Sequence, residues 1–156
     1  MIAAAKNFRG TSYHSTDEKA RIVLPARFRD VVKASEIDGV VVSRLDGSLV
    51  AYPFNEWQVI EDRIMARVEK DEYTRRLRRF FIGGAHECMC DKQGRILIPP
   101  ALREYAEIGP KKDVVLVGVV NHFEVWSRTA YEMEYEAFEH DMKSGRMGEE
   151  VAKLGL

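Results

Sequence analysis

The sequence contains little cysteine, little proline and no long apolar run. Its 156 residues include two cysteines, Cys88 and Cys90, and five prolines. Two thiols spaced two positions apart make a poor framework for a disulfide-stapled secreted domain. No stretch approaches the roughly 18 apolar residues of a membrane-spanning helix, so we expect no membrane partner. The first residues lack a charged segment ahead of an apolar core, so we expect no export signal and a cytoplasmic protein.

Signatures of catalysis and of metal binding are also missing. The chain has no nucleophile–base spacing, no G-x-S-x-G elbow and no phosphate-cradling loop. His86, Cys88 and Cys90 would share one face of a strand, but this spacing is unlike the turn-based spacing of a structural zinc site. We therefore predict that the chain is not an enzyme, holds no metal and needs no cofactor.

No charge of one sign dominates, since the formal net charge is −1. The distribution is nevertheless uneven: residues 1–35 carry seven Lys or Arg against three Asp or Glu, and residues 128–156 carry four against seven. A basic front and an acidic tail fit a nucleic-acid face opposite a protein-contact end. Ordinary mixed surface charge explains the same counts equally well.

The sequence repeats itself with a constant offset. The segment 17–25, DEKARIVLP, returns as 91–99, DKQGRILIP, and Arg29 returns as Arg103, every pair lying 74 positions apart. A fixed period indicates one supersecondary unit built twice. Each half has roughly 55 residues, a size at which a separate hydrophobic core is marginal, so we expect the halves to pack on each other.

Each unit predicts the same order of elements, strand-strand-helix-strand-strand-helix, which is typical of an α+β fold with short antiparallel hairpins. Between the units, a helix over 71–82 is expected to place Tyr73, Leu77, Phe80 and Phe81 on one stripe and four arginines on the other. The predicted strands are 11–15, 21–24, 40–44, 49–52, 86–90, 95–98, 114–119 and 122–126, and the remaining helices are 26–33, 54–68, 100–106 and 128–142.

The turn at the start of each repeat carries the clearest functional pattern. An aspartate in a turn accepts local backbone hydrogen bonds, and an arginine four residues later emerges at the end of a hairpin. A two-stranded ribbon can enter the major groove, where arginine pairs with guanine O6 and N7. An ion pair between each arginine and its own aspartate is the simpler alternative. The predicted turn residues are Asp17, Asp91, Gly94, Pro25 and Pro99, and the arginines are Arg21 and Arg95.

An ordered set of motifs resembles the MraZ family of bacterial regulators, which is related to the AbrB and MazE DNA-binding domains. The resemblance implies two tandem repeats of a swapped-hairpin AbrB-like unit, which form a pseudo-dimeric, β-barrel-like core with flanking helices. It covers residues 8 to about 138. The motifs are Phe8-Arg9-Gly10, the two Asp-x-x-x-Arg blocks, Tyr52-Pro53 with Glu56-Trp57, Arg75-Arg76, Gly83-Gly84-Ala85 with Glu87-Cys88, and Leu116-Val117-Gly118 with Phe123-Glu124-Val125-Trp126.

The resemblance also implies a function. The family acts as a ring-shaped homo-oligomer, usually a repressor, on repeated boxes in the promoter of the division and cell-wall gene cluster, so a nucleoid location is expected. Arg21 and Arg95 are then the DNA-contacting residues, assisted by Lys19, Lys92 and Gln93. The alternative is an assembly protein of the antitoxin-like fold that contacts proteins and does not read DNA.

One turn departs from the pattern, because Ala20 and Glu18 stand where the second turn has Gly94 and Lys92. If the position requires a positive φ, alanine costs on the order of 1 kcal/mol or shifts the turn.

The resemblance divides the chain into a first repeat at 8–70, a connecting amphipathic helix at 71–85, a second repeat at 86–142 and a mobile tail at 143–156.

Overall fold

The computed structural model describes residues 7–68 and 71–156. The first six residues, where no export signal is expected, and residues 69 and 70 at the predicted end of the first repeat lie outside this range. Within it, the order of elements confirms the repeat. The first unit comprises β1 (Phe8–Ser15), β2 (Arg21–Val23), α1 (Ala26–Ala34), β3 (Gly39–Leu45), β4 (Ser48–Pro53) and α2 (Phe54–Met65).

The second unit follows the same order after a short connection. The connecting segment, residues 72–82, consists of α3 (Glu72–Arg76) and a π-helix (Leu77–Ile82). Then come β5 (His86–Met89), β6 (Arg95–Leu97), α4 (Pro100–Ala106), β7 (Asp113–Val120), β8 (Phe123–Ser127), α5 (Arg128–Lys143) and α6 (Gly148–Lys153). Pro25 and Pro99 lie one residue before α1 and α4, where a missing amide hydrogen removes no helical bond.

The strands exchange partners between the two units. Six strands form one antiparallel sheet in the order β1-β7-β8-β4-β3-β5, so β1 pairs with the hairpin of the second unit and β5 with the hairpin of the first. The remaining strands, β2 and β6, pair with each other in a separate ribbon. This exchange confirms the swapped-hairpin prediction. The six-stranded sheet has β1 and β5 at its two edges, so the barrel is not closed.

Both units contribute to one main core. The rings of Phe8, Phe28 and Phe123 lie 5.2–5.3 Å apart, and Ile22 and Ile96 from the ribbon are fully buried beneath them in the same cluster. Because a unit of about 55 residues forms only a marginal core on its own, we expect this shared core to make folding of the two halves interdependent. No helix among residues 7–68 and 71–156 is long and apolar enough to cross a membrane.

A second, smaller core covers the other face of the first hairpin. Trp57 on α2 packs against Tyr52 and stacks on Phe81 of the connecting segment, with ring centroids 5.3 Å apart. The predicted single stripe over 71–82 is therefore wrong at Phe81, which is buried while Tyr73, Leu77 and Phe80 stay exposed. The π-helix explains the difference, since its wider turn breaks the 3.6-residue spacing on which the prediction rested.

Candidate nucleic-acid interface

The ribbon of β2 and β6 joins the two predicted turns on one surface. Its central pair is Ile22 opposite Ile96, and both side chains point into the core. Side chains alternate between the two faces of a strand, so the residues on either side of this pair point outward. Arg21 lies opposite Leu97 and Val23 opposite Arg95, so the outer face of the ribbon carries two arginines and two aliphatic residues.

The first turn is closed by the carboxylate of Asp17. Its Oδ1 accepts hydrogen bonds from the backbone amides of Lys19 and Arg21, both at 2.9 Å, and its Oδ2 accepts one from Arg21 Nε at 2.6 Å. Burial alone would raise the pKa of Asp17, but these donors together hold that pKa below its ordinary value. The turn is therefore fixed with its aspartate charged.

The second turn reproduces this arrangement atom for atom. Asp91 Oδ1 accepts from the amides of Gln93 and Arg95 at 2.9 Å, and Oδ2 accepts from Arg95 Nε at 2.7 Å. The amide of Arg95, followed by its guanidinium and the amide of Gln93, lowers the pKa of Asp91. One local hydrogen-bond plan thus serves both turns, as the repeat predicts.

The turn position before each arginine is left-handed in both copies. Gly94 has φ 75° and Ala20 has φ 62°. The amide of Ala20 donates to the Asp17 carbonyl, and that of Gly94 to the Asp91 carbonyl, both at 3.0 Å. The position therefore has a positive φ in both turns, and Ala20 adopts it without shifting the turn, at a conformational strain of about 1 kcal/mol.

The two arginines and two aspartates form one ion cluster. Beyond its bond to Asp91, Arg95 places Nη1 3.8 Å from Asp17 Oδ2, so the Asp17 carboxylate faces both guanidinium groups. The side chains of Arg21 and Arg95 are 28% and 24% exposed. The ion-pair alternative is thus what the structure shows, and the same structure places both arginines on one shared surface.

The ion pairs do not occupy the arginines fully. Both hydrogen bonds to the aspartates use Nε, and within residues 7–68 and 71–156 the terminal nitrogens of Arg21 make no hydrogen bond. A guanidinium held at Nε presents its Nη atoms in a fixed direction. That is the edge with which arginine pairs with guanine or a phosphate.

The residues expected to assist the arginines lie in the two turns. Lys19, Lys92 and Gln93 are exposed, and so is Glu18, which places one negative charge on the first turn. The sequence reasoning missed two features of this surface. Val23 and Leu97 stand exposed beside the arginines, a pattern that the strand alternation could have revealed.

A second missed feature is a basic neighbour of the first turn. The amide of Lys111 donates to the Asp17 carbonyl at 3.2 Å, and the side chains of Lys111 and Lys112 are exposed. These lysines add positive charge beside the turn that carries Glu18. Since they lie more than 90 positions from the turn in sequence, only the fold brings them there.

Arg29 supports the second turn from inside the fold. Its Nη2 donates to Asp38 Oδ2 at 2.9 Å and to the Asp91 carbonyl at 3.4 Å. The counterpart of Asp38 in the second unit is Lys112, so Arg103 lacks this acid. Arg103 Nε is buried without a hydrogen-bond partner in the described part of the chain.

Near these turns, the described part of the chain offers no reactive thiol and no metal cluster. Burial raises the pKa of Cys88 to about 12 and that of Cys90 to about 11, so both thiols stay protonated at neutral pH. Across residues 7–68 and 71–156, no three His, Cys, Asp or Glu side chains group closely enough to hold a metal ion.

Comparison with known proteins identifies the family. The family model described as "MraZ protein, putative antitoxin-like" matches residues 7–80 and again residues 81–147. Each match spans one copy of the repeat and one Asp-x-x-x-Arg turn. The chain belongs to the MraZ family.

Individual MraZ proteins are similar to this chain over nearly their whole length. The protein named transcriptional regulator MraZ from Desulforapulum autotrophicum is 52% identical over 149 residues, which cover 96% of this chain and 99% of that relative. The proteins of the same name from Desulfosudis oleivorans and Natranaerobius thermophilus are 47% and 39% identical over 150 residues, with the same coverage. Their shared name describes regulation of transcription and no enzymatic activity.

Proposed function

We propose that this chain is a sequence-specific DNA-binding regulator, a repressor of the division and cell-wall gene cluster, acting in the cytoplasm at the nucleoid. The observation that carries the proposal is the pairing of β2 with β6, which puts Arg21 and Arg95 on one outward surface. Membership of the MraZ family and the names of its relatives support it. The partner is double-stranded promoter DNA, and no cofactor is required.

The chemistry of the ribbon suits base reading. Arg21 and Arg95, each held at Nε by an aspartate, offer their Nη atoms to guanine O6 and N7, a contact worth about 1–3 kcal/mol of discrimination. Val23 and Leu97 provide apolar contacts of the kind that thymine methyl groups accept. Lys19, Lys92 and Gln93 lie at the edges of the ribbon, where phosphates would pass.

Because β2 pairs with β6, each chain presents a single DNA-binding site. The two arginines share a carboxylate, so they serve a single short DNA box and not two distant ones. A site this small binds weakly. A homo-oligomeric ring presents several identical sites to repeated boxes, and the affinity rises through effective concentration when the spacings match.

Substitution of the two arginines tests the proposal. We expect Arg21→Ala and Arg95→Ala each to weaken binding to the promoter at least tenfold, about 1.4 kcal/mol, and the double variant to lose specific binding. The measurement is a gel-shift titration. Arg63→Ala, which removes an exposed arginine on α2, is the matched control and should bind like the wild type. Wild-type affinity in a folded double variant would refute DNA reading by this ribbon.

A second candidate function is protein assembly without DNA reading. The observation in its favour is that each arginine already forms an ion pair with an aspartate of its own turn. The two functions differ in their response to salt. A protein that binds DNA displaces cations from the phosphates, so DNA binding must weaken steeply as the salt concentration rises. Assembly through apolar contacts would not weaken in this way.

A further inference from the structure

The helix that closes the second repeat lacks the cover that its counterpart has in the first. In the first unit, α2 buries Trp57 under Phe81 of the connecting segment. An offset of 74 places residues 146–156 in the position of that segment, and they contain α6, which has no buried residue. Helix α5, the counterpart of α2, has no buried residue either.

This uncovered helix carries a continuous apolar ridge. Tyr131, Tyr135, Phe138 and Met142 recur at helical spacing along α5, and Phe138 is 46% exposed. Residues 128–143 also contain five acidic side chains and two Lys or Arg. The ridge of α5 is therefore an apolar stripe with acidic flanks, a combination that fits an apolar groove with basic edges.

The connecting segment forms such a groove together with the end of β3 in the first unit and with α4 in the second. Leu45, Tyr73, Leu77, Phe80 and Tyr105 line a cavity of about 690 Å³, and Phe80 is 52% exposed. The charged residues of its lining are two arginines, Arg44 and Arg76, and one acid, Asp46. Residues 72–82 contain four arginines and one glutamate. Basic side chains edge the apolar floor, since the Arg44 guanidinium lies over the Phe80 and Tyr105 rings at 5.8 and 5.9 Å and Arg76 also lines the cavity.

We propose that the α5 ridge of one copy docks in this arginine-edged groove of the next copy. The inference rests on the ring assembly of the proposed function and names its contact surfaces. The connecting segment already covers α2 with Phe81, and its outer residues Leu77 and Phe80 would cover α5 of a neighbour. Opposite charges face each other across this contact, which fixes its orientation.

The contact is head-to-tail, because the ridge and the groove are different surfaces. Such an interface leaves one free ridge and one free groove on every pair, so copies add until a ring closes. A ridge-deficient copy and a groove-deficient copy can form one intact contact and no more. This property gives the proposal a specific test.

The experiment measures the mass of the full chain by light scattering after gel filtration. We compare the wild type with Phe80→Asp, which alters the groove, and Phe138→Asp, which alters the ridge. Tyr73→Asp and Tyr135→Asp form a second pair of exposed variants, and thermal melting checks that each is folded. Val59→Asp on α2 is the matched control, because it is exposed but lies outside both surfaces.

We expect the wild type and Val59→Asp to be oligomers and each ridge or groove variant to fall to the 17.9 kDa of one chain. A mixture of one groove and one ridge variant should form a dimer of twice that mass. Variants that keep the wild-type mass, or a mixture that stays monomeric, would overturn these surfaces. A monomeric wild type would instead overturn the ring itself. DNA binding by the ribbon is measured separately.

Discussion

Single residues in the Asp-x-x-x-Arg turns use one hydrogen-bond plan for folding and for the proposed recognition of DNA. Each aspartate accepts two amides and one guanidinium, so the carboxylate that shapes the turn also aims the arginine. The sequence predicts these turns and their ion pairs, because donor and acceptor lie four residues apart. It could not predict Lys111 beside Asp17, since that contact depends on the fold.

The charged aspartates make stability depend on pH. Their pKa values in the folded chain lie below the ordinary value of about 3.9. The unfolded chain then binds more protons in acid, so this contribution is present above about pH 4 and is lost as the pH falls through the folded pKa values. In urea unfolding from about pH 6 to about pH 2, the free energy of unfolding of Asp91→Asn should therefore fall less steeply with acidification than that of the wild type.

Asp46→Asn provides the control for this pH prediction. Asp46 is an exposed turn aspartate, so its replacement removes a surface charge and keeps the β2–β6 turns intact. In this control, the free energy of unfolding should fall on acidification as much as it does in the wild type. If both variants reduced the pH dependence of the unfolding free energy equally, the ion cluster of the two turns would not be its cause.

The left-handed position predicts an asymmetric tolerance for substitution. A Cβ on Gly94 would lie 3.7 Å from Arg29 Cδ, an ordinary contact, so Gly94→Ala suffers the φ strain and no clash. We expect the free energy of unfolding to fall by about 1 kcal/mol. Gly94→Val should lose clearly more, because a β-branched residue rarely adopts positive φ. If the free energy of unfolding of Gly94→Ala fell by more than about 3 kcal/mol, position 94 would not tolerate alanine as position 20 does.

At the scale of elements, the exchange of β1 and β5 holds the two units together. The sequence predicts the strands and their order from alternation and turn residues, and the resemblance supplies the exchange. Neither predicts the π-helix, whose position depends on how Phe81 packs on Trp57. Side chains that make tertiary contacts thus decide the local helix type, which a periodic pattern alone cannot.

The close approach of β1 to β7 gives the prediction at this scale. Gly118 lies opposite Gly10, and a Cβ on Gly118 would fall 2.4 Å from Arg9 N and 2.6 Å from Phe8 C. Backbone atoms cannot rotate away, so Gly118→Ala must separate the strands. We expect a loss of about 3 kcal/mol or more in denaturant unfolding.

A control separates this clash from a general effect of replacing glycine. A Cβ on Gly148 meets nothing within 4 Å, so Gly148→Ala should change the unfolding free energy by less than about 0.5 kcal/mol. A Gly118→Ala variant as stable as that control would show that β1 is not tightly paired with β7.

At the scale of the whole molecule, duplication gives symmetry at the proposed DNA-reading surface and asymmetry at the proposed contact between copies. The two turns repeat the same aspartate hydrogen bonds at the two ends of the β2–β6 ribbon. The outer helices differ, since α2 is covered and α5 is not. The repeat was evident from the sequence, but the difference in cover required the structure, because it depends on where residues 72–82 and 146–156 pack.

The most direct measurement is photo-crosslinking from the outer face of the ribbon. A photoreactive amino acid at Leu97 lies beside Arg21, whereas the same residue at Val59 on α2 lies outside the ribbon. With a labelled promoter duplex, the account predicts a crosslink from Leu97 that unlabelled promoter duplex competes away, and none from Val59. Crosslinking from Val59 and not from Leu97, by a protein that binds the duplex, would contradict DNA reading by this surface.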